Sequence, residues 1–395
     1  MKLKDIFTLV TDSVAPMADV HYHLYSLPSF DEAQTREEVM GSEIMSNKYA
    51  VPNKCILFNK LNVRFKRIWR IDNEDDNKVA STEFLPLVVD EKIVDFQYAY
   101  YVLVSDTVTN YLCGQNANTS GSHKRISPDV LFDMDISLPS RSEQERIGRF
   151  LNDIDSKIAL NREINRNLEA MARQLYDYWF VQFDFPDASG RPYKSSGGKM
   201  VWNEKLKREI PEGWEAAQMK DFLVIVNGKD HKELANGIYP VYGTGGLMRC
   251  ANDYLFSGES VLLPRKGSLS NFMYVNEAFW TVDTMFHTKE KMKGAAKYIF
   301  YSLRYVDITR YDSGTGVPSM TSISYYAMPF VQPPQNILGL FNQKVSPWLK
   351  QIKRNEKGIS QLNAQRDELL PLLMNGQVSV RPTAVNCDLA VEMAA

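Results

Sequence analysis

The chain has 395 residues, with 46 Lys+Arg against 48 Asp+Glu and a formal net charge of −2. Its 44% hydrophobic and 24% charged content is that of soluble globular proteins and excludes disordered, collagen-like and disulfide-scaffold classes. At roughly 150 residues per domain the length predicts two or three domains, and the near-zero balance argues against bulk attraction to phosphate.

Cys55, Cys113, Cys250 and Cys387 are far apart and form no CxxC pair, so a zinc ribbon is not expected and free intracellular thiols are. The start, MKLKDIFTLV, is too short and too charged for a secretory apolar region. No apolar run approaches the roughly 20 residues of a membrane span. A cytoplasmic protein is the expectation.

In chain order, residues 1–140 read as a mixed, strand-rich domain. CILF (55–58), VRFKRIWRI (63–71), FLPLVV (84–89) and YAYYVLV (98–104) are β-branched or aromatic runs between polar and Gly/Asn/Pro punctuation. Residues 141–185 form a long helical segment with Ser142 as its expected N-cap and Glu143 and Glu145 in the first turn. Residues 186–212, rich in Pro, Gly, Ser and Lys, read as a connecting loop. Residues 213–335 return to the mixed pattern, with KYIFYSLRYV as a helix. A second long helical segment spans 336–380, and 381–395 form a tail.

The order mixed domain, helix, mixed domain, helix predicts an internal duplication. Gly121 and Gly316, Ile136 and Val331, and Pro139 and Pro334 keep an offset of 195. The helices then align at 194: Ile147 with Phe341, Leu151 with Val345, Ile158 with Ile352, Asn161 with Asn355, Leu168 with Leu362 and Leu175 with Leu369. Both helices carry apolar residues at alternating steps of 4 and 3, a coiled-coil seam. Two such seams in one chain most simply bury each other as an antiparallel pair. The expected fold is therefore α+β: two mixed α/β domains separated by two long antiparallel coiled-coil helices in a pseudo-two-fold repeat. Buried Asn161 and Asn355 are expected to penalise slipped registers. At 1.5 Å per residue, residues 143–180 span about 57 Å, enough to hold two reading heads over separate sites on DNA.

LPSRSEQERIGRFLNDIDSKIALNREINRNLEAMARQLYDYWFVQFDFP, followed by GRPYKSSGGKMV and IPEGW, resembles the central conserved region of type I restriction–modification specificity subunits. YPVYGTGG, GESVLLPRKGS, FWTVDTMF, SGTGVPS and RDELLPLLMNG resemble that family's second target-recognition domain and distal conserved helix. The resemblance covers about residues 80–380. It implies two target-recognition domains, each reading half of a split, asymmetric double-stranded DNA sequence, with helices that set the gap. It also implies docking of two methyltransferase (modification) subunits, with which restriction/translocase subunits associate. The chain would then be non-catalytic, with S-adenosylmethionine, ATP and Mg2+ on the partner subunits and no cofactor or metal of its own.

The motifs agree in what they lack. There is no P-loop and no HExxH, and Gln332-Pro333-Pro334-Gln335 is only the nearest approach to an adenine-methyltransferase motif. Gly243-Thr244-Gly245-Gly246 is not a dinucleotide fingerprint. It reads as a tight turn between strands, or as a loop whose amides approach phosphate.

Direct readout needs cationic, amide or hydroxyl side chains at base edges. The candidates in the first domain are Arg64, Lys66 and Arg67, with Arg64 and Lys66 on one face of a strand and Arg67 on the other. The polar loop residues Asn118, Ser120, Ser122, Lys124 and Arg125 join them. In the second domain they are Thr244, Arg265, Lys266, Ser268, Ser313 and Thr315. Tyr242 and Tyr274 are weaker candidates, and Met328 and Phe330 could be core or contact residues. The competing reading is a coiled-coil protein-interaction scaffold without sequence-specific DNA binding. Residues 1–140 hold 14 cations against 20 carboxylates, a balance of −6, whereas residues 213–335 balance at +1. Any DNA grip by the first domain therefore needs cations focused on one surface, or help from partners.

Overall fold

The computed structural model describes residues 1–115, 124–314 and 316–381. It divides into two compact units, Met1–Arg162 with Glu356–Ala395, and Glu163–Asn355. The division falls inside both long helices, so each unit is a mixed head together with one stretch of each helix.

In the first unit a four-stranded antiparallel sheet has the order Phe7–Leu9, Phe84–Val89, Lys54–Asn59, Ile68–Asp72. Cys55–Phe58 are buried on both faces of their strand, which explains the unbroken apolar run. A five-stranded sheet of short strands lies beside it, with His21–Tyr25 and Lys78–Ala80 paired in parallel. The run at 98–104 is not a strand. It belongs to the helix Phe96–Val104, whose start is fixed by Asp95 accepting a hydrogen bond from the Tyr98 amide at 2.9 Å. Tyr98, Ala99, Tyr101, Val102 and Leu103 are all buried, so the helix is apolar nearly all round and shows no 3.6-residue alternation to read.

The second unit repeats the plan. Leu223–Asn227, Met285–Glu290, Phe256–Pro264 and Met273–Thr281 are antiparallel in that spatial order, the same first-fourth-second-third order as in the first head. The hairpin Asn236–Gly243 and Gly246–Ala251 joins the edge through a parallel pairing with Met273–Thr281. Helix Ala295–Ser302 is placed after the sheet as Phe96–Val104 is in the first head. Each head is closed in the same way, by pairing its first segment with the one that leads into its long helix. The Ile136 amide donates to the Met1 carbonyl at 2.8 Å, and Ala216 pairs with Val331. Ile136 and Val331 are equivalent in the sequence repeat.

The segment 186–212 is more than a loop, because Met200–Asn203 and Arg208–Pro211 form a hairpin in it. The first long helix runs Arg141–Tyr176 and ends in a π-turn, Asp177–Val181. It starts before Ser142: the Ser140 carbonyl already accepts from the Gln144 amide at 2.9 Å, which makes Ser140 the cap. The second long helix runs Gln335–Met374.

The helices pack antiparallel within each unit. In the first, Ile147 and Leu151 share a core with Leu370 and Leu373. In the second, Ala172, Tyr176 and Trp179 share one with Phe341 and Val345. The seam asparagine is Asn355, 7% exposed, but its partner is Asn165 and not Asn161: Asn355 Nδ2 donates to Asn165 Oδ1 at 2.8 Å. Gln351 Nε2 donates to Asn355 Oδ1 at 2.7 Å. Asn161 is only half-buried. At the 194 offset Asn165 is equivalent to Ile359, so the amide pair breaks the internal symmetry. Among the described residues no helix is long and apolar enough to cross a membrane.

Candidate nucleic-acid interface

The candidate residues of the first head gather where two loops meet. Residues 60–67 join strand Lys54–Asn59 to strand Ile68–Asp72, and residues 124–126 run beside them. The Asn62 amide donates to the Lys124 carbonyl at 2.8 Å, the Ile126 amide to the Lys60 carbonyl at 3.0 Å, and Leu61 bridges Arg125. Arg64, Lys66, Arg67, Lys124 and Arg125 are thus brought together.

Arg64, Lys66 and Arg67 do not lie on a strand, so the expected facing rule does not apply. The strand stops because buried Asn59 turns its side chain onto the next residues, donating to the Leu61 carbonyl at 2.6 Å and accepting from the Leu61 amide at 2.9 Å. Asn62 then takes φ 51°, a left-handed conformation that Asn tolerates better than most residues.

Lys66, Arg67 and Arg125 have carboxylate partners. Arg67 forks onto Asp31, at 2.6 Å from Nε and 2.7 Å from Nη2. Lys66 meets Asp106 at 2.6 Å. Arg125 makes a fork with Glu83 at 2.7 and 2.9 Å, and that bond from Arg125 holds the Glu83 carboxyl below its usual pKa. The Arg64 guanidinium lies over the ring of Phe65 and forms no ion pair among the described residues. Asn118, Ser120 and Ser122 fall outside the described residues.

The second head uses the same construction. Residues 265–272 join the equivalent pair of strands and meet the loop 312–320. Lys266 bridges Ser319, the Gly267 amide donates to the Pro318 carbonyl at 2.9 Å, and the Met320 amide donates to the Arg265 carbonyl at 2.8 Å. The bridge Lys266–Ser319 is the counterpart of Leu61–Arg125 in the first head. The turn at Thr244, which connects two strands as expected, is tied in by Asn271 Nδ2 donating to the Thr244 carbonyl at 2.7 Å. Thr244, Arg265, Lys266, Ser268 and Ser313 therefore share one region, and Arg265, Lys266, Ser268 and Ser313 are exposed there. Thr315 falls outside the described residues.

Asp312 shapes this loop. Its carboxylate accepts from the amides of Gly314 and Ser319, both at 2.8 Å, and these bonds lower its pKa. Asp-Ser-Gly at 312–314 carries the sequence signal for such an Asx-turn, whereas the turn at Asn59 has no such signal. The weaker candidates are packing residues. Tyr242 is buried and donates to Glu277 at 2.9 Å, and Met328 and Phe330 are in the core. Tyr274 packs against the Phe300 ring, and burial beside Glu259 raises its pKa far above the ordinary phenol value. Among the described residues no group of three or more His, Cys, Asp and Glu is placed to hold a metal ion.

A duplicated sheet thus presents the same two bridged loops in each half, one set basic and aromatic and the other basic and rich in small residues. The chain belongs to the type I restriction modification DNA specificity domain family, whose model matches residues 1–170 and 211–359. It is 25% identical over 330 residues to the type I restriction enzyme MjaIX specificity subunit of Methanocaldococcus jannaschii, covering 77% of this chain and 74% of that one. It is 21% identical over 406 residues to the HindI specificity subunit of Haemophilus influenzae, covering 84% of this chain and 88% of that one. The crystal structure of a type I restriction–modification S subunit from M. genitalium shares the fold, with a TM-score of 0.62, 14% identity, and 94% and 95% of the two chains covered.

Proposed function

We propose that this chain is the DNA-recognition subunit of a cytoplasmic type I restriction–modification complex. Each head reads one half of a split, asymmetric double-stranded target, and the two long helices set the unread gap. The helices also dock two methyltransferase subunits, with which restriction/translocase subunits associate. The chain carries out no chemistry: S-adenosylmethionine, ATP and Mg2+ serve the partner subunits. The observation that carries this reading is the repeated pair of bridged loops, which gives each head exposed cations, joined in the second head by the exposed hydroxyls of Ser268 and Ser313, groups suited to phosphate and base-edge contact.

Docking on the helices has its own support. Phe150, Leu160, Ile164 and Met171 are exposed on the first long helix. At 100° per residue they fall within an arc of about 80°, away from the seam residues Ile147, Leu151, Ile158 and Ala172. Exposed Asp153 and Lys157 fall in the same arc, so the face mixes apolar and charged groups, as a protein interface does.

The acidic balance of the first head predicts a division of labour. Because residues 1–140 balance at −6, the chain alone should bind DNA weakly and lose that binding readily with salt. The complex with its methyltransferase should bind much more tightly. Gel-shift titrations with and without that partner, on DNA fragments from the source genome, test this. A scaffold without DNA recognition predicts no sequence-specific shift in either case.

A further inference from the structure

Building on the DNA-recognition reading, we propose that Phe65 is a wedge that enters between two stacked base pairs of the first half-site. Phe65 sits at the turn of the basic loop and is 46% exposed. Arg64 and Arg67 flank its ring, with their guanidinium carbons 4.6 and 5.0 Å from the ring centroid. The tip is preorganised. The Phe65 amide donates to the Asn62 carbonyl at 2.9 Å, the Arg67 amide donates to the Phe65 carbonyl at 2.7 Å, and Asp31 holds the Arg67 fork. Asn59 and the Lys124 carbonyl fix the base of the loop.

An apolar ring bracketed by two cations on a rigid tip matches one surface well, an apolar base stack bordered on both sides by phosphates. Apolar side chains used in this way part a base step and kink the duplex. A protein partner with an apolar pocket would instead leave Arg64 desolvated without an anion. The second head lacks the device. In the equivalent loop Leu269 is buried in the core, Phe272 packs against it, and the exposed positions, Arg265, Lys266, Ser268 and Ser270, carry no apolar ring. The wedge therefore marks the first half-site alone.

The test uses the complete complex with its methyltransferase subunits and duplexes carrying the mapped split target. 2-Aminopurine replaces each adenine of the first half-site and its flanks in turn. Apart from the adenine that the methyltransferase flips out for modification, the wild-type complex should raise 2-aminopurine fluorescence at one further step, and Phe65→Ala should abolish that further rise. Phe65→Ala should also weaken binding roughly 10- to 100-fold, in the range of losing one aromatic–base stacking contact. Phe65→Leu should retain part of the signal, since leucine can also act as a wedge. The thermal midpoint of the free Phe65→Ala chain should match wild type, because the ring is exposed. A wild-type complex that binds its target with no such rise overturns the wedge and leaves DNA recognition standing. A rise at that further step that persists in Phe65→Ala belongs to the partner subunits and also overturns it. Failure of the wild-type complex to bind sequence-specifically overturns the proposed function itself.

Discussion

At the scale of single residues, Lys66, Arg67 and Arg125 of the first head are held by carboxylates, and those carboxylates could not be chosen from sequence. Asp31 and Arg67 are 36 positions apart, and Glu83 and Arg125 are 42 apart. Only the fold makes them neighbours. Such exposed pairs contribute about 0–1 kcal/mol each, so exchanging a carboxylate for a phosphate costs little. Arg125→Ala and Arg265→Ala should each leave the thermal midpoint nearly unchanged. Each should weaken target binding by the complex, with an altered preference confined to one half-site. Loss of selectivity in both halves from either substitution would contradict separate heads.

His287 is a second residue whose behaviour only burial reveals. It is 2% exposed, touches Thr281 Oγ1 at 3.2 Å and stacks on Phe256. Burial, with Lys289 adding repulsion, lowers its pKa from 6.5 to about 4. The unfolded chain takes up this proton near pH 6.5, the folded chain only near pH 4. The stability that His287 contributes is therefore complete above pH 6.5, is lost as the pH falls through about 4, and amounts to about 3 kcal/mol at most. The melting temperature of the wild-type chain should fall from pH 7 to pH 4. His287→Gln should flatten that decline, and an unchanged slope would refute the assignment.

At the scale of elements, local periodicity was legible and non-local pairing was not. The heptad seams placed both long helices, because a 3.6-residue period is written along the chain. The shared sheet order of the two heads is set by pairings between distant segments, Phe7–Leu9 with Phe84–Val89 for example, and leaves no local trace. Helix Phe96–Val104 reads as a strand in sequence because burial on nearly every side erases its amphipathicity. The tip at Phe65 was hidden inside an apparently strand-like run, because the break depends on the Asn59 side chain.

The seam also holds two polar devices. Arg366, four residues after Leu362 on the seam, meets Asp155 at 2.8 Å, and Asp155 in turn accepts from the Tyr101 hydroxyl at 2.7 Å. This joins the helix Phe96–Val104 to both long helices inside the first unit. In the second unit the sequence equivalents of Arg366 and Asp155 are Ala172 and Leu349, so each unit closes its seam differently. Asn355→Ala should destabilise the chain by about 1–3 kcal/mol, because it leaves Asn165 without its amide partner. The double change Asn165→Ile with Asn355→Leu should recover most of that loss in denaturant titrations. A double variant as unstable as the sum of the singles would show that the pair is not a coupled unit.

At the scale of the whole molecule, the duplication was legible in sequence, and the family match over both halves agrees with it. What a duplicated reader recognises is not written in composition. The overall charge of −2 conceals an acidic first head and a slightly basic second one. If the long helices set the gap, adding whole turns to both should lengthen the unread spacer and leave the half-sites unchanged, as read by methylation of a target library. Half-sites that change instead would contradict the spacer role.

The central claim, that one chain reads two separate half-sites, is tested most directly by genome-wide mapping of methylated adenine in cells carrying this chain with its methyltransferase. The account predicts one asymmetric motif in two parts with a fixed gap, and replacement of residues 213–335 by another second head should alter one part only. A continuous motif, methylation without sequence preference, or a change in both parts after the swap would contradict it.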